Sequence, residues 1–382
     1  MPDLPASFGE GVPTLRNTAT PRIFVAATRQ DDGKTTTSVG LFAALQKRFP
    51  RIGYIKPVGQ RFVDVEGVKV DEDSVLMNDT YRVRTPLRAM SPIAVEPNFT
   101  RRFLQKRNVT ELHTKVRAAF DEAAWEKDFV IIEGTGHAGV GSVFELSNAA
   151  VARLLNAHVV IVSQGGIGRP IDEIAMNLAL FEKFGVKVIG VVLNKVLPEK
   201  MDLLPFVEEG LARLGLPLLG AVPFNQELRR PTLHQVCGKL GGEFLAGAEH
   251  KRRRVGKVVI GAMASHKIEH YLEPDSLLVV SGDREDMIVT AVEACRSRPR
   301  PPLAGLVLVD GVLPGPEVLD LLRGSGLPCL ACACDAYTAA SKITRMTVKS
   351  EAADREKIAL IQQMVESHVA IDRIIAAGIP QR

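Results

Sequence analysis

In AATRQDDGKTT, residues 26–36, a lysine follows a glycine and is followed by hydroxyls. A phosphate-binding loop aims backbone N–H groups at phosphates above a helix N-terminus, with the usual pattern G-x-x-x-x-G-K-[ST]. Here Gly33 permits close backbone approach, Lys34 suits the β- and γ-phosphates, and the Thr35 hydroxyl suits Mg2+. Thr28 stands where the pattern has its first glycine. The β-branched run RIFVAA (22–27) precedes the loop, and Val39, Phe42, Ala43 and Leu45 follow at helical spacing. Strand, tight loop and helix are the context such a loop requires.

Other candidate groups stand at the ends of further apolar runs. Glu133 follows the run 128–132 and opens the glycine-rich turn EGTGHAGVG, where a carboxylate suits Mg2+. Asn194 and Lys195 end VVLNKV; the amide offers donor and acceptor to an adenine edge, or serves as a turn residue. Lys56 in YIKPVGQ projects from a loop fixed by proline. Asp71 and Asp73 in VDEDSVLM share a face on a strand and read either as metal or substrate ligands or as solvated charges. His137 is an acid–base or phosphate contact, or a plain loop residue. Cys329, Cys332 and Cys334 of CLACAC have spacing that suits a metal or cluster, and equally a buried strand of small residues. In GDRED, Asp283, Arg284 and Asp286 open a helix; capping of the helix dipole is the plain reading, a ligand or dimer contact the other.

The elements that must position these groups alternate. Strand-like runs at 51–55, 128–132, 157–162, 187–193 and 217–222 are separated mostly by helical patterns such as 111–124 and 171–184. This predicts an α/β fold, a doubly wound and mostly parallel sheet with its site at the strands' carboxyl ends. A second set of strands at 257–262, 276–281, 304–309 and 328–333 predicts a smaller α/β domain. The expected division is a flexible lead-in at 1–21, a nucleotide-binding domain at 22–240, a basic linker at 241–254 and a second domain at 255–382, with SRPRPP (297–302) an extended loop. Of 382 residues, 48 are Lys or Arg and 44 Asp or Glu, so the net charge is 48 − 44 = +4, which does not argue for a nucleic-acid partner. No apolar run approaches the ~18 residues of a membrane span, and the N-terminus does not read as a secretory signal. Five cysteines without a paired framework fit a reducing cytoplasm.

The ordered set A-T-x-x-x-x-G-K-T, Y-x-K-P, D-x-D, E-G-x-G and V-L-N-K resembles the dethiobiotin synthetase family. Through EGTGHAGVGSVFELSNAAVARLL and GGIGRPIDEI it is more similar still to the dethiobiotin-synthetase-like domain at the N-terminus of some bacterial phosphotransacetylases. VVSGDREDMIVTAV and DAYTAASKI resemble the DRTGG-type domain that follows it, so the likeness covers residues 22–370. The resemblance implies a P-loop NTPase fold using ATP and Mg2+, and makes Thr28 the family's usual loop opening. It places Thr28, Asp32, Gly33, Lys34, Thr35 and Thr36 on ATP, with Asn194 on the adenine. Thr35, Glu133 and Asp71 or Asp73 would hold Mg2+, and Lys34, Lys56 and Asp31 would act on the transferring phosphoryl group. Gln30, Gln60, Gly134 and His137 would line the substrate side; Gln30, Gln60 and His137 depart from the family pattern, which points away from a diamino acid substrate. The phosphotransacetylase catalytic domain is not expected, because the chain ends after the DRTGG-type unit. Two functions follow from the resemblance. One is ATP-dependent activation of a carboxylate or carbamate on an unidentified small metabolite; the other is an adenine-nucleotide sensor signalling to a partner or dimer mate. A homodimer or higher homo-oligomer is expected in both, with neither membrane nor nucleic acid as partner.

Overall fold

The computed structural model describes residues 11–297 and 303–378; residues 1–10 of the expected lead-in and 298–302 of SRPRPP lie outside them. The chain forms two compact units, Met1–Asn225 with Ser350–Arg382, and Gln226–Lys349.

The first unit is built on a six-stranded sheet that is parallel throughout. Its strands lie in the order Leu218–Pro223, Val188–Val196, His158–Gln164, Arg22–Ala27, Phe129–Glu133 and Ile52–Ile55. Arg22–Ala27 and Phe129–Glu133 are buried at every position, as strands covered on both faces must be, which explains their continuous apolar runs. After Arg22–Ala27 the chain builds one side of the sheet, then crosses to the other at His158–Gln164. The loop after Arg22–Ala27 therefore opens at the point where strand order reverses, which is where ligands bind in open α/β sheets.

The helix after that loop, Lys34–Gln46, buries residues on all its faces, among them Val39, Gly40, Leu41, Phe42, Ala44 and Leu45. One face lies on the sheet and another is covered by Arg355–His368, a helix from the far end of the chain. A Cβ on Gly40 would stand 2.3 Å from Val365, so the two helices pack backbone to side chain. Tyr81 links the same elements, donating to the Val39 carbonyl (2.6 Å) and accepting from Gln362 (3.0 Å). The end of the expected second domain at 255–382 forms two helices, Arg355–His368 and Ile371–Ala377, and both belong to the first unit rather than the second. Between them Ala370 donates to the Leu219 carbonyl (2.7 Å), and beyond them Arg22 donates to the Gly378 carbonyl (2.7 Å). The part of the lead-in that is described is also tied down, Asn17 donating to Asp121 (2.7 Å) and receiving the Arg22 guanidinium on its carbonyl (2.8 Å).

The second unit holds a five-stranded sheet in the order Glu243–Ala246, Cys329–Ala331, Leu303–Val309, Ser276–Ser281 and Lys257–Ile260; only the first of these is antiparallel to its neighbour. The expected linker at 241–254 is thus part of this unit: it supplies an edge strand, and carbonyls of its basic run accept from the start of helix Leu233–Leu240 (Leu233 to Arg253, 3.0 Å; His234 to Lys251, 2.8 Å). Glycines and basic charge make that stretch read as a linker, but its Glu243–Ala246 segment pairs with Cys329–Ala331. Among the described residues no helix is long and apolar enough to cross a membrane.

Candidate nucleotide and phosphoryl site

Loop 28–33 is a compact turn braced from within. Asp32, 1% exposed, accepts from the Thr28 hydroxyl (2.6 Å) and the Arg29 amide (2.8 Å), and Ser163 on the next strand lies 3.1 Å from the same hydroxyl. Thr28, in the place of a first glycine, thus works as a hydrogen-bonding post for the loop. Asp32 is a brace inside the turn, and Asp31 beside it is exposed with φ 64°. Gly33 caps the helix at φ 103°, and a Cβ there would fall 1.9 Å from the Asn194 amide nitrogen. Only glycine meets both demands.

Asn194 is committed to this turn. Its amide nitrogen donates to the Asp32 carbonyl (2.8 Å) and its oxygen accepts from the Lys195 amide (2.9 Å), while the Lys195 ammonium donates to the Asp31 carbonyl. The structure therefore places Asn194 and Lys195 behind the loop as supports; the amide pair that would read an adenine edge is engaged.

At the start of the helix Lys34 is 7% exposed, its ammonium 3.2 Å from the Gly136 carbonyl and 3.4 Å from that of Arg29. Burial holds its pKa below the ordinary value, with Glu133 pulling the other way. Thr35 donates to Glu133 (2.8 Å), and Tyr54 donates to the other oxygen of that carboxylate (3.0 Å). Glu133 is fully buried, and burial, with Asp73 nearby, raises its pKa. Thr36 lies half-buried in the same turn.

Lys56 stands among three carboxylates. It pairs with Asp73, with Asp71 at 3.0 Å, and lies 3.8 Å from Glu133. Burial opposes its charge, but Asp73, Glu133 and Asp71 outweigh this and raise its pKa. Asp71 and Asp73 do not share a strand face. Asp71 ends the strand Val68–Asp71 and caps the helix Glu72–Tyr81, its carboxylate accepting from the Asp73 amide (3.0 Å), so Asp73 sits in the first turn of that helix. A turn of chain direction between them, not strand alternation, brings both onto Lys56.

The substrate-side residues are placed less tightly. Gln30, Gln60 and His137 are exposed on loops that follow sheet strands, with the His137 ring accepting from the Gly139 amide (3.2 Å). Gly134 is buried, donating to the Val25 carbonyl (2.9 Å), and a Cβ on it would meet Phe24 at 2.7 Å. Two asparagines shape this rim without having been legible as site residues. Asn148 bonds the backbone of Thr135 and His137, and Asn177 accepts from the Ala138 amide (2.7 Å) while donating to the Glu173 carbonyl (2.7 Å). Glu173 in turn pairs with Arg29 (2.6 Å) and Arg169 (2.8 Å). Tyr54 and Ser163, polar residues within mostly apolar buried strands, carried the sequence signal for this supporting set.

The donors fit Mg2+. Thr35, Glu133 and Asp73 offer hard oxygens, and four buried carboxylates (Asp32, Asp71, Asp73, Glu133) face two buried ammonium groups (Lys34, Lys56). Among the described residues no three His, Cys, Asp or Glu side chains form a ready cage. Mg2+ is commonly held by one or two carboxylates together with phosphates and water, so the set suffices.

Fold and loop together define a P-loop NTPase-like α/β protein. The comparisons agree: residues 21–232 match the AAA domain family, and residues 235–346 match the DRTGG domain. The chain belongs to that AAA domain family, with the DRTGG domain following. Relatives include the phosphate acetyltransferase of Pseudomonas aeruginosa, 30% identical over 366 residues, covering 91% of this chain and 50% of that one. That of Nitrosomonas europaea is 26% identical over 370 residues, covering 94% and 52%. The chain spans about half the length of these relatives. Among solved structures the MinC:MinD cell division complex of Aquifex aeolicus has a TM-score of 0.36 at 15% identity, covering 55% of this chain and 84% of that one.

Proposed function

We propose that the first unit binds Mg-ATP on loop 28–35 and transfers its terminal phosphoryl group to a carboxylate or carbamate of a small metabolite. The observation that carries this is the pair of buried ammonium groups, Lys34 and Lys56, at one strand edge, with Glu133 linking Lys56 to the Thr35 hydroxyl. Lys34 and the first-turn amides would hold the β- and γ-phosphates. Lys56, by leaving Asp73, would meet the oxygens of the transferring group. The substrate oxygen bonds to the γ-phosphorus as the bond to the bridging oxygen breaks, and ADP leaves with that electron pair. Most of the acceleration in such a site is positioning and charge neutralisation. Mg2+, when held by Thr35, Glu133 and Asp73, supplies further neutralisation of the phosphate oxygens; Asp71 is given over to the helix cap.

A second reading rests on the DRTGG match at 235–346 and on relatives named phosphate acetyltransferase, of which this chain spans half. In it, ATP binding is a signal, relayed by the second unit to a partner or to a second copy of the chain. One experiment separates the two: ATP binding by calorimetry and ATP turnover with a panel of carboxylates and amines plus bicarbonate, for the natural chain and Lys34→Ala. We expect Lys34→Ala to weaken ATP binding about a hundredfold, the loss of a charge-assisted contact, and one panel member to stimulate turnover. Tight ATP binding without any stimulated turnover would sink the transfer reading and leave the sensor. Unchanged affinity in Lys34→Ala would remove ATP from the loop altogether.

A further inference from the structure

The three clustered cysteines of the second unit do not converge as a metal site. Cys329 is buried in the core on one side of the sheet, where burial pushes its thiol up to about 12. Cys332 belongs to the core on the other side, which Cys334 borders. The strand Cys329–Ala331 runs out into Cys332-Ala333-Cys334 before Asp335 caps the helix Ala336–Thr344. There the sulfurs of Cys332 and Cys334 lie 3.4 Å apart, both as free thiols. Cys332 is 5% exposed, whereas Cys334 is partly open to solvent.

We propose that Cys332 and Cys334 are an oxidisable dithiol that closes to an intrachain disulfide under a hydroperoxide. The sulfurs need approach by only ~1.4 Å to reach bonding distance. Cys334, the accessible member, attacks the peroxide: an S–O bond forms, the O–O bond breaks, and the departing hydroxide leaves as water with the Cys334 thiol proton. The Cys332 sulfur then attacks the Cys334 sulfur: the S–S bond forms, the S–O bond breaks, and hydroxide leaves as water with the Cys332 thiol proton. Two thiols and one hydrogen peroxide give one disulfide and two waters. Burial, with the Cys334 sulfur beside it, pushes the Cys332 thiol up to about 11, which fits it for the second, resolving step and not for first attack.

Closure would reach the loops at the carboxyl edge of this sheet. The Cys332 carbonyl accepts from the Gly311 amide (3.1 Å) and the Cys334 carbonyl from the Asp310 amide (3.0 Å). Loop 310–312 in turn lies against Gly282, where a Cβ would stand 2.1 Å from the Val312 carbonyl oxygen. A shift of 332–334 therefore pulls on the segments that frame the start of the helix Glu285–Arg296. The neighbouring thiol able to compete is Cys237, which donates to the Gly242 carbonyl (3.1 Å); a Cβ on Gly242 would stand 3.4 Å from that of Cys332.

The test exposes the full chain to hydrogen peroxide, alkylates remaining thiols after unfolding, and reads the peptide carrying both cysteines by mass. We expect that peptide unalkylated and lighter by two hydrogens, reversed by dithiothreitol, with faster hydrogen exchange at Asp310 and Gly311 in the bridged form. Cys237→Ser should bridge as the natural chain does, and Cys334→Ser should not bridge at all. Cys332→Ser should leave a sulfenic acid at Cys334 that dimedone traps. Both thiols still alkylated after peroxide, a bridge between Cys237 and Cys332, or unchanged exchange at Asp310 and Gly311 would each overturn the proposal. Cys334→Ser alters a partly exposed position, so it keeps the test decisive if Cys332→Ser does not fold.

Discussion

At the carboxyl edge of the first sheet, Asp32, Lys34, Lys56, Asp71, Asp73 and Glu133 are each less than a tenth exposed. At the same edge of the second sheet the charged pair is Arg284 and Asp286, with side chains 34% and 53% exposed. Both edges end parallel strands and both precede helices, so the architecture is shared and the chemistry is not. Burying charge opposes folding unless every group is paired. Six ionisable groups kept in one buried place mark this edge as the candidate binding site. Exposed Arg284 instead does structural work, donating to the Gly261 and Met263 carbonyls (3.3 and 3.1 Å) and to Asp286.

If that contrast is right, the largest effect comes from Lys56→Met. It leaves Asp71, Asp73 and Glu133 facing one another without their cation, and should destabilise the first unit by about 3–5 kcal/mol. Glu133 and Asp71 have pKa values raised above their ordinary 4.5 and 3.8, burial being the first cause. The native state therefore binds more protons than the unfolded chain above those values. Their contribution to stability is complete below the ordinary values and is lost as pH rises through the raised ones. Lys56, raised above 10.5, contributes stability that persists below 10.5 and fades only as pH climbs through its folded value. Urea denaturation across pH, followed by hydrogen exchange in Phe129–Glu133, should show Lys56→Met losing most near neutrality and recovering in acid. A variant as stable as the natural chain at neutral pH would break the contrast.

A middle-sized effect tests the element that sequence reading put in the wrong unit. Gly40→Ala drives a methyl into Val365, at 2.3 Å from its Cβ, and should cost about 1–3 kcal/mol while raising protease sensitivity in 350–378. Val365→Ala should restore part of the loss. Absence of rescue would mean that the two helices do not depend on each other. Sequence alone could not reach this contact. Lys34–Gln46 is buried on every side, a signal that it is covered twice, but nothing local says by which segment. The site shows the same limit. Thr28, Gly33, Lys34 and Thr35 were legible because one contiguous loop carries them. The meeting of Lys56, Asp71, Asp73 and Glu133 was legible only through the family resemblance, because three separate segments bring them together. Asp71 and Asp73 would share a face only within a strand, and here a strand ends and a helix begins between them. Asn194 stood in a readable motif, yet its use as a loop support depends on a tertiary contact with Gly33.

The smallest effect should come from Arg284→Ala. The guanidinium holds the Asp286 pKa down to about 2, from an ordinary 3.8, chiefly through their hydrogen bond. A depressed carboxylate contributes stability above its unfolded value and loses it as pH falls through its folded one. The natural chain and Arg284→Ala should therefore differ most above pH 3.8 and converge near pH 2. Both partners meet water, so the difference stays small even at neutral pH: a melting shift within ~2 °C. ATP affinity should not change, because nothing at this edge is held buried for a ligand. A shift several times larger, or weakened ATP binding, would show that the second edge carries more than helix-start chemistry. The two edges would then differ in exposure alone, and exposure would no longer tell a binding site from a structural one.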